Sequence, residues 1–247
     1  MCRHLAYLGP ELPIGELLVA PSHGLAAQAW APRLQQYGSM NVDGFGLGWY
    51  AAGDERPARY RRAGPLWADE GFADLARVVR TRALLAAVRS ATTGCAPGEA
   101  AVAPFADGPW LFSHNGALPG WPAAYAKAAA TLPPEDLLDL PARTDSALVW
   151  ALVRHRLRSG APAGQALAET CRRLAEQGPA RLNLLLTDGG SITATAWGDT
   201  LCYRAGPGQG VVVASEPFDD APGWHHLPDR SLLLATPESQ AVRPLLP

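Results

Sequence analysis

The sequence predicts an α+β fold built in stacked layers. Strand-like segments crowd both ends of the chain and helical segments fill the middle. Asp188-Gly189-Gly190 marks a hairpin turn between two late strands. Segregated blocks of this kind argue against an alternating βαβ sheet.

The elements follow in order. Residues 3–8 (RHLAYL) read as a short strand, followed by helical stretches around 15–20 and 24–31. Residues 45–51 form a strand with glycines at close-packing positions, and 58–62 its alternating partner with a solvated arginine face. A helix is expected over 70–80 and a strand over 83–91. Residues 94–109, rich in Gly, Pro and Ala, read as a loop. Residues 110–113 (WLFS) read as a short buried strand ending at His114-Asn115-Gly116. Residues 121–130 are compatible with a helix, and Pro133-Pro134-Glu135-Asp136 suits the start of another. The clearest helix is 145–158, capped by Thr144 or Asp145, with Leu148, Val149, Leu152, Val153 and Leu157 on one stripe. A second runs over 163–176 and stops at Gly178-Pro179. Strands are then expected at 181–187, 191–197, 200–204, 210–215 and 231–236.

At 247 residues the chain can bury a sizeable core without disulfides, and one domain over 2–247 is the simpler expectation. A net charge of −2 supplies no field for nucleic acid or an anionic membrane. The absence of a long apolar run and of a signal-like start makes a cytoplasmic protein the expectation. Lys127 is the sole lysine, which reads as the coding bias of a GC-rich bacterium such as an actinomycete. The cysteines at 2, 95, 171 and 202 include no Cys-x-x-Cys pair, so zinc and redox readings lack support. Cys171 and Cys202 fall on apolar patterns and read as core, whereas Cys95 in its Gly/Pro loop stays open. His4 and His225-His226 invite a metal-protein reading, but without ligand spacing.

Cys2 carries the most chemistry. Once Met1 is removed, one residue holds both a thiol and a free α-amine of reference pKa about 7.7–8.0, a nucleophile with its own base. Three further segments converge on it. Asn115 and Gly116 offer a side-chain amide and an unobstructed backbone N–H for a tetrahedral oxyanion. Arg89 offers a planar fork for a carboxylate, and Asp145 a partner for an ammonium. That set matches an α-amino acid head group with a reacting carbonyl on its side chain, as in a γ-glutamyl amide. Each residue also has an ordinary use: Arg89 as a surface ion pair, Asn115-Gly116 as a turn, Asp145 as a helix cap. The signal is their order and combination.

Cys2, Val88-Arg89-Ser90-Ala91-Thr92, Ser113-His114-Asn115-Gly116 and Thr144-Asp145-Ser146 resemble, in that order, the class II glutamine amidotransferases, which are N-terminal-nucleophile hydrolases. Residues 41–49 (NVDGFGLGW) fit the same pattern. The opening MCRHLAYLG and Ser-Glu-Pro-Phe-Asp-Asp at 215–220 resemble the ergothioneine-pathway branch of that family. Members of that branch hydrolyse γ-glutamyl-hercynylcysteine sulfoxide to glutamate and hercynylcysteine sulfoxide.

The resemblance implies a four-layer αββα sandwich with two antiparallel sheets, Cys2 as nucleophile, Asn115 and Gly116 as oxyanion hole, and Arg89 and Asp145 as head-group ligands. It adds Ser90, Thr92 and Thr93 as substrate-binding positions. It implies a small-molecule γ-glutamyl substrate, no cofactor or metal, and no ammonia-accepting synthase domain in the chain. Thr93 and Ala103 stand where many glutaminase members carry His, which puts free glutamine in doubt as the preferred substrate. The competing expectations are a hydrolase of glutamine or another γ-glutamyl amide, and a non-catalytic binding protein on the same fold. Trp121 and Trp224 offer faces for a quaternary ammonium, and Glu216, Asp219 and Asp220 a lining for a cationic pocket. Ordinary packing and solvated carboxylates are the alternatives.

Overall fold

Leu5 and Tyr7 of the first strand pack on one side of their sheet and Ala6 and Leu8 on the other, so this strand is buried on both faces. The computed structural model describes residues 2–245. Met1, whose removal the proposed chemistry needs, and residues 246–247 lie outside the described residues.

The strands are β1 (Arg3–Pro13), β2 (Phe45–Trp49), β3 (Ala58–Arg62), β4 (Arg80–Val88), β5 (Phe105–Asp107), β6 (Trp110–Ala117), β7 (Arg181–Thr187), β8 (Ile192–Ala196), β9 (Cys202–Gly206), β10 (Gly210–Ala214), β11 (His225–His226), β12 (Ser231–Ala235) and β13 (Gln240–Pro244). The helices are α1 (Gly15–Leu18), α2 (Leu25–Gln28), α3 (Phe72–Val78), α4 (Ala126–Ala129), α5 (Pro134–Leu138), α6 (Asp145–Arg158) and α7 (Ala163–Ala175). Among the described residues the strands form a seven-stranded sheet, β11-β9-β10-β1-β4-β2-β3, and a six-stranded sheet, β13-β12-β8-β7-β6-β5. Every neighbouring pair is antiparallel.

Three apolar layers hold the stack. Leu17, Leu18, Leu25, Phe72 and Ala76 of α1–α3 pack on Leu5, Tyr7, Leu84 and Ala86 of the first sheet. Ala6, Leu8 and Leu85 of that sheet meet Leu111, Leu185 and Ala194 of the second. Leu148, Leu152, Leu167, Cys171 and Leu174 of α6 and α7 cover Leu182, Leu184 and Leu186 of β7. The result is the four-layer αββα sandwich. Each fully buried leucine contributes about 1.5–3 kcal/mol relative to exposure.

Thr144, rather than Asp145, caps α6: its Oγ1 accepts the Ala147 N–H at 3.1 Å. That frees the Asp145 carboxylate for other partners. The Asp188 hairpin forms as expected, with Oδ1 accepting the N–H groups of Gly190 and Ser191 at 2.9 and 2.7 Å. Cys171 and Cys202 are buried as core residues.

Other expectations need correction. Strand β6 does not stop at 113: His114, Asn115 and Gly116 pair with Leu184, Asn183 and Leu182 of β7, so Asn115-Gly116 is strand and not turn. The 94–109 segment contains β5 and a 3-10 turn over Glu99–Ala101. The two-residue β11 and the edge strand β13 have no counterpart in the pattern reading. The 121–130 helix shrinks to a 3-10 turn at Ala123–Tyr125 followed by α4. The arginines of β3 are not simply solvated, since Arg59 and Arg61 donate to the carbonyls of Pro104 and Val102 at 3.3 and 3.2 Å.

Candidate active site

β4 ends at Val88, which places Arg89 at the mouth between the sheets. Its backbone N–H donates to Gly44 O at 2.7 Å, and its carbonyl accepts from Asp43 N at 2.9 Å. The Asp43 carboxylate accepts the Ala91 N–H at 2.7 Å, so residues 41–44 clamp the Arg89–Ala91 turn. The guanidinium donates to Asp43 O and Ala96 O at 3.3 and 3.1 Å. A guanidinium has five N–H donors, so a planar edge remains for a ligand. Arg89 is only 8% exposed.

Asp145 opens α6 and is 3% exposed. Its Oδ2 accepts the Leu118 N–H at 3.2 Å and the Thr92 hydroxyl at 3.3 Å. Its Oδ1 accepts the Ser146 N–H at 2.8 Å and the Cys95 thiol at 3.5 Å. No described cation pairs with Asp145, and no described carboxylate pairs with Arg89. Leaving two opposite charges nearly buried and ionically unpaired is costly unless a ligand completes them.

Cys2 precedes β1 and is half-buried, its thiol directed at Ser90 O at 3.8 Å. Burial pushes the thiol above its ordinary pKa, while the Arg89 guanidinium pulls the other way. The resting sulfur is therefore a thiol that needs a base. Cys2, Arg89, Ser113, His114 and Ser146 border one cavity of about 20 Å³. That volume admits roughly one water molecule.

Asn115 is fully buried, with Nδ2 donating to Ser215 Oγ at 3.4 Å. Ser215 Oγ also accepts the His4 N–H at 3.0 Å, which ties β6 to the strand carrying the chain start. Gly116 serves a closer contact than substrate approach: a Cβ there would strike the Arg181 carbonyl of β7 and the His114 ring. His114 fixes this corner. Its Nε2 lies 2.9 Å from Arg181 O, an atom that can only accept, so Nε2 carries the proton. Nδ1 then accepts the Ser146 hydroxyl at 2.9 Å, and burial lowers the ring's pKa and keeps it neutral.

The structure thus gathers Cys2, Arg89, the Ser90 carbonyl, Thr92 and Asp145 around one mouth, with Asn115 and Gly116 on the facing strand. Thr93 is not drawn in: it is exposed and its hydroxyl has no described hydrogen-bond partner. Asp43, Cys95, His114, Ser146 and Ser215 were absent from the sequence-based set. All but Cys95 lie within the motifs that carry the resemblance, yet none was given a role there.

The remaining motif residues have structural uses. Glu216 is buried and accepts the N–H groups of Arg33 and Leu34 at 2.9 and 2.8 Å. Asp219 accepts from Arg204 and from Trp224 Nε1, and Asp220 pairs with Arg33. Trp224 packs edge-on against Phe218 at 5.0 Å under the Arg204 guanidinium, and Trp121 packs on the helix-side core. No metal-sized cluster of His, Cys, Asp and Glu occurs among the described residues.

The sandwich and this site define a class, and comparison with known proteins agrees with it. The family model for class-II glutamine amidotransferases matches residues 19–219, and the chain belongs to that family. A protein of Mycolicibacterium smegmatis named gamma-glutamyl-hercynylcysteine sulfoxide hydrolase is 42% identical over 247 residues, covering 99% of this chain and 100% of its own. A Mycobacterium tuberculosis protein of the same name is 40% identical over 245 residues, covering 96% and 93%. Among solved structures, a glutamine aminotransferase class-II domain protein from Silicibacter pomeroyi superposes with a TM-score of 0.68 at 24% identity over the full length of both chains. The glutamine phosphoribosylpyrophosphate amidotransferase from B. subtilis gives 0.64 at 14% identity, covering all of this chain and 49% of its own.

Proposed function

We propose that this chain hydrolyses the γ-glutamyl amide of γ-glutamyl-hercynylcysteine sulfoxide, releasing glutamate and hercynylcysteine sulfoxide in ergothioneine biosynthesis. The observation that carries the reading is that Arg89 and Asp145 are both buried, ionically unpaired and within electrostatic range of the Cys2 thiol. A fork for a carboxylate and an acceptor for an ammonium together match the head of a glutamyl group. The near full-length similarity to the two mycobacterial hydrolases supports the choice of leaving group.

In this mechanism Met1 is removed and the Cys2 α-amine takes the thiol proton as sulfur attacks the γ-carbonyl. Asn115 Nδ2 and the Gly116 N–H stabilise the oxyanion. The C–N bond breaks, the ammonium hands its proton to the leaving amine, and a γ-glutamyl thioester remains. Water, deprotonated by the same amine, attacks the thioester; the thiol is restored and glutamate leaves. The working unit is a single domain over 2–247, acting in the cytoplasm on a small molecule.

The test is incubation with γ-glutamyl-hercynylcysteine sulfoxide and mass analysis of products and protein. Glutamate, hercynylcysteine sulfoxide and a protein lacking Met1 are expected. Faster turnover of glutamine would transfer the assignment to a glutaminase. No turnover, with Met1 retained, would make the chain a binding protein.

A further inference from the structure

A groove at the outer end of β6 and β7 takes no part in the chemistry above. Its volume is about 480 Å³, and Tyr37, Pro119, Arg181, Trp197, Asp229 and Arg230 line it. Its aromatic faces are already occupied. The Arg181 guanidinium lies 4.0 Å from the Tyr37 ring centroid, and that of Arg230 5.2 Å from Trp197. A quaternary ammonium seeks a bare ring; here it would meet a cation first. The groove therefore repels the quaternary ammonium that its aromatic content would otherwise invite.

Its cations Arg181 and Arg230 make no direct ion pair among the described residues, although the Asp199 carboxylate lies within electrostatic range of Arg181. Arg181 Nε is buried without a hydrogen-bond acceptor. Asp229, the lining carboxylate, accepts the Gly198 N–H at 2.7 Å. The groove also adjoins the strand that carries Asn115 and Gly116. Arg181 pairs with Ala117, next to Gly116, and its carbonyl holds His114. Tyr37 stands in the loop whose Gln35 accepts from Arg3, the residue after Cys2, at 3.3 Å.

We propose that this groove binds a carboxylate of the departing amine, with Arg181 and Arg230 as its ligands. The proposal rests on the γ-glutamyl amide reading, in which the leaving amine is itself an amino acid with a carboxylate two bonds from the scissile nitrogen. Ammonia, the leaving group of glutamine, has none. The two arginines then select amino-acid amides over glutamine.

The experiment compares γ-glutamyl-S-methylcysteine sulfoxide with the γ-glutamyl amide of the decarboxylated amine. The wild-type protein is expected to favour the carboxylate-bearing donor roughly 10- to 100-fold in kcat/KM, the range for hydrogen bonds to a charged group. Arg181→Gln and Arg230→Gln should each cut that ratio at least tenfold, acting through KM. Arg230 is exposed, so Arg230→Gln carries the test if Arg181→Gln fails to fold. An unchanged ratio overturns the proposal. Calorimetric titration with S-methylcysteine sulfoxide and its decarboxylated analogue reads the groove without turnover. Binding that needs the carboxylate and weakens tenfold in the variants supports it; no binding, or binding equally tight in the variants, overturns it. Carboxylate-dependent binding without glutamate release from either donor would remove the γ-glutamyl reading and leave the anion groove standing.

Discussion

The His4 imidazole meets the Ser113 hydroxyl at 3.1 Å across the gap between the two sheets. His4 is the second residue of β1, two positions after Cys2, and Ser113 lies two residues before Asn115 on one face of β6. This hydrogen bond, together with the Ser215 bridge, sets the spacing between the strand that follows Cys2 and the strand that carries Asn115 and Gly116.

Ser113→Ala would leave a fully buried ring with no polar contact, since His4 Nε2 already lacks one. The expected cost is about 1–3 kcal/mol in denaturant unfolding. Turnover should fall more than KM changes, because the head-group ligands stay in place. An unchanged unfolding midpoint would contradict this.

The same ring should make stability pH-dependent. Burial holds His4 well below the usual histidine value of 6.5 and lowers His114 as well. Once pH falls below about 6.5, the unfolded chain takes up protons that the folded chain refuses, so stability drops with falling pH. Thermal melts between pH 7.5 and 5 should show this slope, and His4→Asn, which keeps a donor near Nδ1, should flatten it.

Asp145 tests head-group recognition. Asp145→Asn removes the charge facing the ammonium and turns an NH₂ toward groups that already donate. A loss of roughly 10- to 100-fold in kcat/KM is expected, mostly through KM, from one charge-assisted bond. Steady-state kinetics on a γ-glutamyl donor measures it. Normal KM would detach Asp145 from the ligand.

The pH profile of activity identifies the base. With the Cys2 thiol pushed up by burial, a reaction needing a preformed thiolate would keep rising beyond pH 9. With the α-amine as base, kcat/KM should rise with an apparent pKa near about 7.7–8.0 and then level.

The layered fold was legible because its cores repeat simple periods. Leu182, Leu184 and Leu186 alternate on β7, and Leu167, Cys171 and Leu174 follow a helical stripe on α7. Cys2, Arg89, Asn115, Gly116 and Asp145 were legible because each is a reactive or charged type in a distinctive neighbourhood. The residues that position them were not. Ser215 and Asp43 are ordinary hydrogen-bonding types whose meaning depends on partners distant in sequence. Asn115-Gly116 carries strong turn chemistry, yet pairing across β7 keeps it in a strand, so tertiary contact overrode local preference. β13 was hidden by its exposed, mixed edge sequence.

The bonds between His4 and Ser215 join residues 211 positions apart. The loop these bonds close is long, so its closure entropy must be met before Asn115 and the strand after Cys2 are held together. Such long-range closure forms late. A fragment truncated before Ser215 should therefore carry the Cys2 thiol without the activity.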